Sequence, residues 1–127
     1  METPRNILLI DDEEDFLETT SRRLRRRDFE VRTATRCAEA LPEVSAGWPD
    51  VVVLDVMLPD VSGLECLLQI KQAAPHLPVV MLTGHASLHA SIEGLEDGAS
   101  DYCLKPIELG ELVEKIIIAY NDAHELR

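Results

Sequence analysis

Four short apolar runs each end on a polar residue able to do chemistry. Ile7-Leu8-Leu9-Ile10 leads into Asp11-Asp12, Val51-Val52-Val53-Leu54 into Asp55, Val79-Val80-Met81-Leu82 into Thr83, and Tyr102-Cys103-Leu104 into Lys105-Pro106. Unbroken apolar runs of this length suit strands covered on both faces in a parallel sheet. In such sheets the ligand crevice lies beyond the carboxyl ends of the strands. As parallel strands, the four runs would bring three carboxylates, a hydroxyl and an ammonium to one edge, a set suited to a divalent cation and a phosphoryl group.

Between the runs the pattern is helical. Helices are expected from Asp15 to about Arg27 with Phe16, Thr20 and Leu24 on one face, and from Arg36 to about Ala46 with Cys37, Ala40, Leu41 and Val44 inward. Pro42 is a defect in the second of these, and Gly47 suits its stop. A third helix should run from about Gly63 to Ala74, capped by Ser62 or Asp60, burying Leu64, Leu67, Leu68 and the stem of Lys71. A fourth is expected from Ser87 to Glu96 with Leu88, Ile92 and Leu95 inward, weakened by Gly94. The last, from Glu108 to Asn121, has the clearest stripe: Leu109, Leu112, Val113, Ile116, Ile117 and Tyr120. Glu30 to Ala34 adds a shorter, more polar strand that belongs at an edge. Five βα units with right-handed crossovers predict an α/β fold, a three-layer doubly wound five-stranded parallel sheet. The 127 residues read as a single domain over 1–127, with a core of about 6–120 and a polar tail at 121–127.

The formal net charge of −12 argues against direct nucleic-acid binding. Positive charge is concentrated instead in Arg22, Arg23, Arg25, Arg26 and Arg27 of the first helix, either a solvated face or a docking surface for an acidic partner. No apolar stretch approaches the roughly 20 residues that span a bilayer, so no membrane association is expected. Cys37, Cys66 and Cys103 form no CxxC. Their odd number and the lack of a signal peptide point to a reducing cytoplasm, with all three as small buried hydrophobes rather than a redox centre.

At adjacent strand ends, Asp11, Asp12 and Asp55 would repel one another, and without a cation at least one should hold a proton. Helix-start acids explain Glu13, Glu14 and Asp15 through the macrodipole, but not Asp55, which follows an apolar run. Hard oxygen donors in a small crevice suit Mg²⁺ or Mn²⁺. Asp55 is the best nucleophile, since a carboxylate can attack phosphorus and form an acyl phosphate. Lys105 would offset the phosphoryl charge, and its bond to Pro106 is a candidate cis peptide. Thr83 would donate to a phosphoryl oxygen, with Gly84 leaving room beside it. Neither GxxxxGK[ST] nor GxGxxG is present, so the phosphoryl group must be presented by another molecule.

These segments resemble the receiver domain of two-component response regulators. Ile7-Leu-Leu-Ile-Asp-Asp-Glu is similar to its first strand and acidic pair. Val53-Leu-Asp-Val-Met-Leu-Pro-Asp-Val-Ser-Gly-Leu-Glu is similar to its phosphoacceptor strand and following loop. Met81-Leu-Thr-Gly-His-Ala and Gly98-Ala-Ser-Asp-Tyr-Cys-Leu-Lys-Pro are similar to its fourth and fifth strands. The resemblance implies the flavodoxin-like strand order 2-1-3-4-5. It implies that Asp55 accepts a phosphoryl group from a histidine kinase, that Asp12 binds Mg²⁺ directly and Asp11 through water, and that the backbone carbonyl of Met57 completes the protein ligands. It also implies that Thr83 and Lys105 contact the phosphoryl group and that Tyr102 is the switch aromatic. The helix from Ser87, the strand at Asp101 and the last helix would form the output face.

Met57 and His85 occupy the two positions at which members of the family often help position the hydrolytic water. Met57 cannot orient water by hydrogen bonding, so a long-lived phosphoryl group is expected, modified by His85 in a direction the sequence leaves open. The expected partners are a histidine kinase and a downstream effector or fused output domain, with a phosphorylation-linked homodimer suggested by Ile118, which lies off the main stripe. A stand-alone receiver and part of a longer regulator or hybrid kinase both fit. The competing readings are a Mg²⁺-dependent phosphatase with an aspartyl nucleophile and a non-phosphorylated interaction module. Met57 stands where such phosphatases carry a second Asp, and the intact set of Asp11, Asp12, Asp55, Thr83 and Lys105 argues against the module.

Overall fold

In a computed structural model describing residues 1–84 and 93–125, the apolar runs form one sheet. Strands β1 (Asn6–Ile10), β2 (Glu30–Ala34), β3 (Val51–Asp55), β4 (Val79–Thr83) and β5 (Asp101–Leu104) are all parallel, in the order β2-β1-β3-β4-β5. The doubly wound architecture and the strand order are as expected.

Alternation along each strand divides the core in two. Leu8, Ile10, Val52, Leu54, Val79 and Met81 face α2 (Cys37–Ser45) and α3 (Gly63–Ala73). Ile7, Leu9, Val51, Val53, Val80, Leu82 and Cys103 face α1 (Glu14–Arg25) and the C-terminal helix (Leu109–Glu125). All five residues of β3 and of β4 are buried. The edge strand β2 exposes Glu30, Arg32 and Thr33, as its polar pattern requires.

The helix ends follow local chemistry. Ser62 caps α3 by accepting the Glu65 N–H at 3.1 Å. Helix α2 tolerates Pro42 in its interior and ends in a Schellman turn: Gly47 has φ +72°, its N–H reaches the Val44 carbonyl, and the Trp48 N–H reaches Glu43.

Some inward faces differ from the expectation. On α1 the buried set is Leu17, Thr20, Ser21 and Leu24, while Phe16 is half-buried beside Lys105. On α3, Cys66, Leu67 and Ile70 are buried and Leu68 is 47% exposed, because the stripe is centred one position earlier than expected. Residues 93–96 are helical, but Leu95 is exposed and Gly94 is buried, lying over Met81 and Leu64. The rest of the helix expected from Ser87, with Leu88 and Ile92, lies outside the described residues. The C-terminal helix runs on through Glu125, so most of the segment expected to be a tail is helical; Asn121 ties it to the N-terminus through Glu2.

The cysteine expectation is corrected more substantially. All three are buried, but Cys37 and Cys66 are joined in a disulfide, and only Cys103 is a free thiol. They are 29 residues apart in sequence. Their pairing depends on how α2 packs on α3, which no local pattern reveals.

Candidate functional site

The register that pairs Ile10 with Leu54 sets Asp11 beside Asp55. One carboxylate oxygen from each of Asp11, Asp12 and Asp55 lies within 4.8 Å of the others. Asp11 is fully buried, Asp55 nearly so, and Asp12 is exposed. Asp11 is held by backbone: its N–H donates to the Ala34 carbonyl and its Oδ1 accepts the Glu13 N–H at 2.9 Å. Burial of Asp55, reinforced by the charge of Asp11, pushes its carboxyl up to about 7, against the pull of the Lys105 ammonium and the Met57 N–H. The direction is the one expected of a buried carboxyl crowded by another carboxylate.

Lys105 leaves the end of β5 through a cis peptide bond to Pro106, and its N–H donates to the Thr83 carbonyl at 2.7 Å. Its Nζ is 2.6 Å from Asp11 Oδ2, 2.9 Å from Glu13 Oε1 and 3.8 Å from Asp55 Oδ2, and it sits 4.5 Å from the centre of the Phe16 ring. Burial works against its charge, but hydrogen bonds to Asp11 and Glu13 outweigh it and raise the Lys105 pKa. Thr83 is fully buried at the end of β4, and its hydroxyl donates to the Gly84 carbonyl at 3.0 Å.

The structure therefore brings together Asp11, Asp12, Asp55 and Lys105, with Thr83 at the end of the neighbouring strand. Met57 is exposed in the loop after Asp55. Tyr102 is half-buried against the core on the α2–α3 side, with the Lys115 ammonium 5.9 Å from its ring centre and Lys115 paired to Asp101. His85 lies outside the described residues. The arginine cluster divides: Arg25 folds back to donate to the Val31 carbonyl at 2.8 Å, and Arg22 pairs loosely with Glu18. Arg23 flanks a groove of about 580 Å³ formed with Glu13, Phe16, Thr20, Lys105 and Ile107.

Three residues of the site environment were missed by sequence reasoning. Glu13, read only as a helix-start acid, is a direct partner of Lys105. Asp60, considered for α3, instead caps α2, accepting the N–H groups of Cys37 and Ala38. Gly63 donates its N–H to the Val56 carbonyl at 2.7 Å, and a Cβ there would lie 2.5 Å from Val56 Cα. The signal for Gly63 was present: a glycine just after a helix cap, where a closely approaching strand leaves no room for a side chain.

The donor set is composed of hard oxygens, which suits a small divalent cation. Among the described residues this is the one such cluster of three.

The chain resembles known proteins over nearly its whole length. The family description "Response regulator receiver domain" matches residues 7–117. The chain is 37% identical over 114 residues to transcriptional regulatory protein PrrA of Mycobacterium tuberculosis, covering 90% of this chain and 49% of PrrA. It is 39% identical over 113 residues to the probable transcriptional regulatory protein TcrX of the same species, covering 89% and 48%. It thus spans about half the length of the curated relatives it matches. Among solved structures, a response regulator receiver domain from Clostridium thermocellum superposes with a TM-score of 0.91 at 34% identity, covering 97% of this chain and 99% of that one. A response regulator from Burkholderia pseudomallei, solved with a phosphorylated aspartic acid, a calcium ion and citrate, superposes with a TM-score of 0.82 at 30% identity, covering 96% and 72%.

Proposed function

The chain belongs to the response regulator receiver family of two-component signalling, and from that premise we propose that Asp55 is its phosphoacceptor. The observation that carries this reading is the convergence of Asp11, Asp12, Asp55 and Lys105 at one end of a buried parallel sheet.

In this reading a phosphohistidine of a histidine kinase enters the crevice. An Asp55 carboxylate oxygen attacks phosphorus, the P–N bond breaks, and its electron pair stays with the imidazole nitrogen, which takes up a proton. Asp11, Asp12, Asp55 and the Met57 carbonyl would hold Mg²⁺ (or Mn²⁺), which when bound neutralises carboxylate and phosphoryl charge. Lys105, already 3.8 Å from Asp55, moves its ammonium from Asp11 toward a phosphoryl oxygen. The Thr83 hydroxyl gives up the Gly84 carbonyl and turns to the phosphoryl group, and Tyr102 follows into the space it leaves. The face around β5 and the C-terminal helix then reads out the change to an effector or fused output domain. Ile118, exposed on that helix, is available to a phosphorylation-linked homodimer.

The groove between α1 and the Pro106 turn, with Arg23 on its rim, fits the docking of an acidic kinase surface next to Asp55. No described helix is long and apolar enough to cross a membrane, and a cytoplasmic location follows from the proposed kinase partner. The domain's only chemistry would be its own phosphorylation and dephosphorylation.

The test is intact-mass spectrometry after incubation with acetyl phosphate and Mg²⁺. One added phosphoryl group, absent in Asp55→Ala, is expected. No gain with acetyl phosphate or with a panel of histidine kinases would overturn the reading.

A further inference from the structure

Outside the acidic crevice, the start of α2 is tied both to α3 and to the loop before it. Cys37, the first residue of α2, is bonded to Cys66 on the buried face of α3, with Cα atoms 5.7 Å apart, an ordinary spacing for a disulfide. Asp60, in the loop that leads from Asp55 to α3, grips the same helix start: Oδ1 accepts from the Cys37 N–H at 3.1 Å and Oδ2 from the Ala38 N–H at 3.0 Å. At its ends this loop is closed by the Gly63 N–H on the Val56 carbonyl. The segment carrying Met57, whose N–H bonds Asp55, is therefore anchored to the residue that forms the disulfide.

We propose that Cys37 and Cys66 are a reversible dithiol–disulfide pair that sets how readily Asp55 is phosphorylated. The proposal rests on the reading of Asp55 as phosphoacceptor. A receiver served by a kinase works in the cytoplasm, where a disulfide is typically transient and redox-sensing rather than structural. The co-reactant is a low-molecular-weight thiol such as glutathione. Its thiolate attacks Cys66 Sγ, the S–S bond breaks, and Cys37 leaves as a thiolate and takes up a proton. A second thiol clears the mixed disulfide, giving two protein thiols and one oxidised small-molecule disulfide, two electrons in all. Both sulfurs are buried, so exchange follows opening of α2, a nine-residue helix in which Pro42 supplies no N–H.

Two thiols need van der Waals separation where a bond now holds the sulfurs. In a close-packed core this parts the start of α2 from α3, and Asp60 moves with the Cys37 N–H it accepts. The Met57 segment then loses its fixed position beside Asp55, and the reduced form should be phosphorylated about tenfold more slowly, in keeping with the sensitivity of such reactions to small misplacement.

The experiment compares the full chain equilibrated in reduced and in oxidised glutathione. Thiol counting after denaturation should give one free thiol in the oxidised form, Cys103, and three in the reduced form. Phosphorylation by acetyl phosphate and Mg²⁺, followed by intact mass, should be about tenfold faster in the oxidised form, and the difference should survive Cys103→Ser. The double variant Cys37→Ser/Cys66→Ser should show one rate in both buffers; the comparison of the two unsubstituted forms stands even if that variant folds poorly. Equal rates in the two forms, or a pair whose thiol count does not respond to glutathione, would overturn this proposal while leaving Asp55 as phosphoacceptor. Phosphorylation of neither form would overturn both readings.

Discussion

Lys105 Nζ stands 2.6 Å from the Asp11 carboxylate but 3.8 Å from that of Asp55. Its main partner in this state is the buried carboxylate beside the proposed phosphoacceptor. The Lys105 ammonium is fixed by Asp11 and Glu13 and lies over the Phe16 ring.

Replacing Lys105 with Met should therefore have two effects. It leaves Asp11 buried without its cation, which should cost about 3 kcal/mol of stability in metal-free buffer, read as a shift in the urea midpoint. It should also slow phosphorylation by acetyl phosphate even when Mg²⁺ restores the stability. A variant as stable and as rapidly phosphorylated as the parent would contradict both roles.

The raised Asp55 carboxyl makes the metal-free protein sensitive to pH. Its folded pKa, about 7, lies above the ordinary value of 3.8, so the folded state holds the proton more tightly than the unfolded one. The resulting stability is fully present below the ordinary value and is lost as pH rises through about 7. Metal-free thermal stability should accordingly fall across that window, and Mg²⁺ should stabilise more at pH 8 than at pH 5. In Asp55→Asn this component of the pH dependence should disappear. Mg²⁺ shifts that are equal at the two pH values would rule out the assigned electrostatics.

Met57 is 65% exposed and offers its side chain to solvent beside Asp55. A thioether cannot orient water, so the phosphoryl group should persist well beyond seconds in the purified protein. Met57→Glu should shorten its lifetime by about a hundredfold by supplying a group that positions the attacking water. Loss of label from the parent protein within seconds would refute this account of Met57.

Gly63 supports the site from behind. A methyl group at this position would collide with Val56 Cα and with the carbonyl oxygens of Asp55 and Val56. These are backbone atoms at the end of β3 and just beyond it, so relief requires that stretch of backbone to move. Gly63→Ala should destabilise the fold by about 2 kcal/mol and lower the phosphorylation rate, whereas Gly110→Ala, where a Cβ meets nothing, should do neither. Chemical denaturation of the two variants separates these outcomes.

The site was legible to the extent that its residues end strands. Asp11, Asp55, Thr83 and Lys105 each follow an apolar run, and parallel strands deliver their carboxyl ends to one edge of the sheet. Glu13 and Phe16 were not legible as Lys105 partners, since Glu13 stands just before α1 and Phe16 in its first turn, far in sequence from the residue after β5 that they meet. Asp60 was misassigned for a similar reason. A capping side chain is normally sought at the start of its own helix, and here it comes from 23 residues away. The one-position error in the face of α3 shows how weakly a stripe of evenly apolar residues specifies its centre, so that Leu68 was expected inward where Ile70 is buried instead.

The amino-acid sequence by itself determined the strands, their parallel stacking and the identity of the crevice residues, because apolar runs and strand-end polarity are properties of neighbouring positions. Only the tertiary structure decided who pairs with whom across the layers: Lys105 with Asp11 and Glu13, Asp60 with the start of α2, and Cys37 with Cys66. Those contacts join residues far apart in the chain, and their geometry follows from how helices settle on the sheet, which no periodicity within a single segment records.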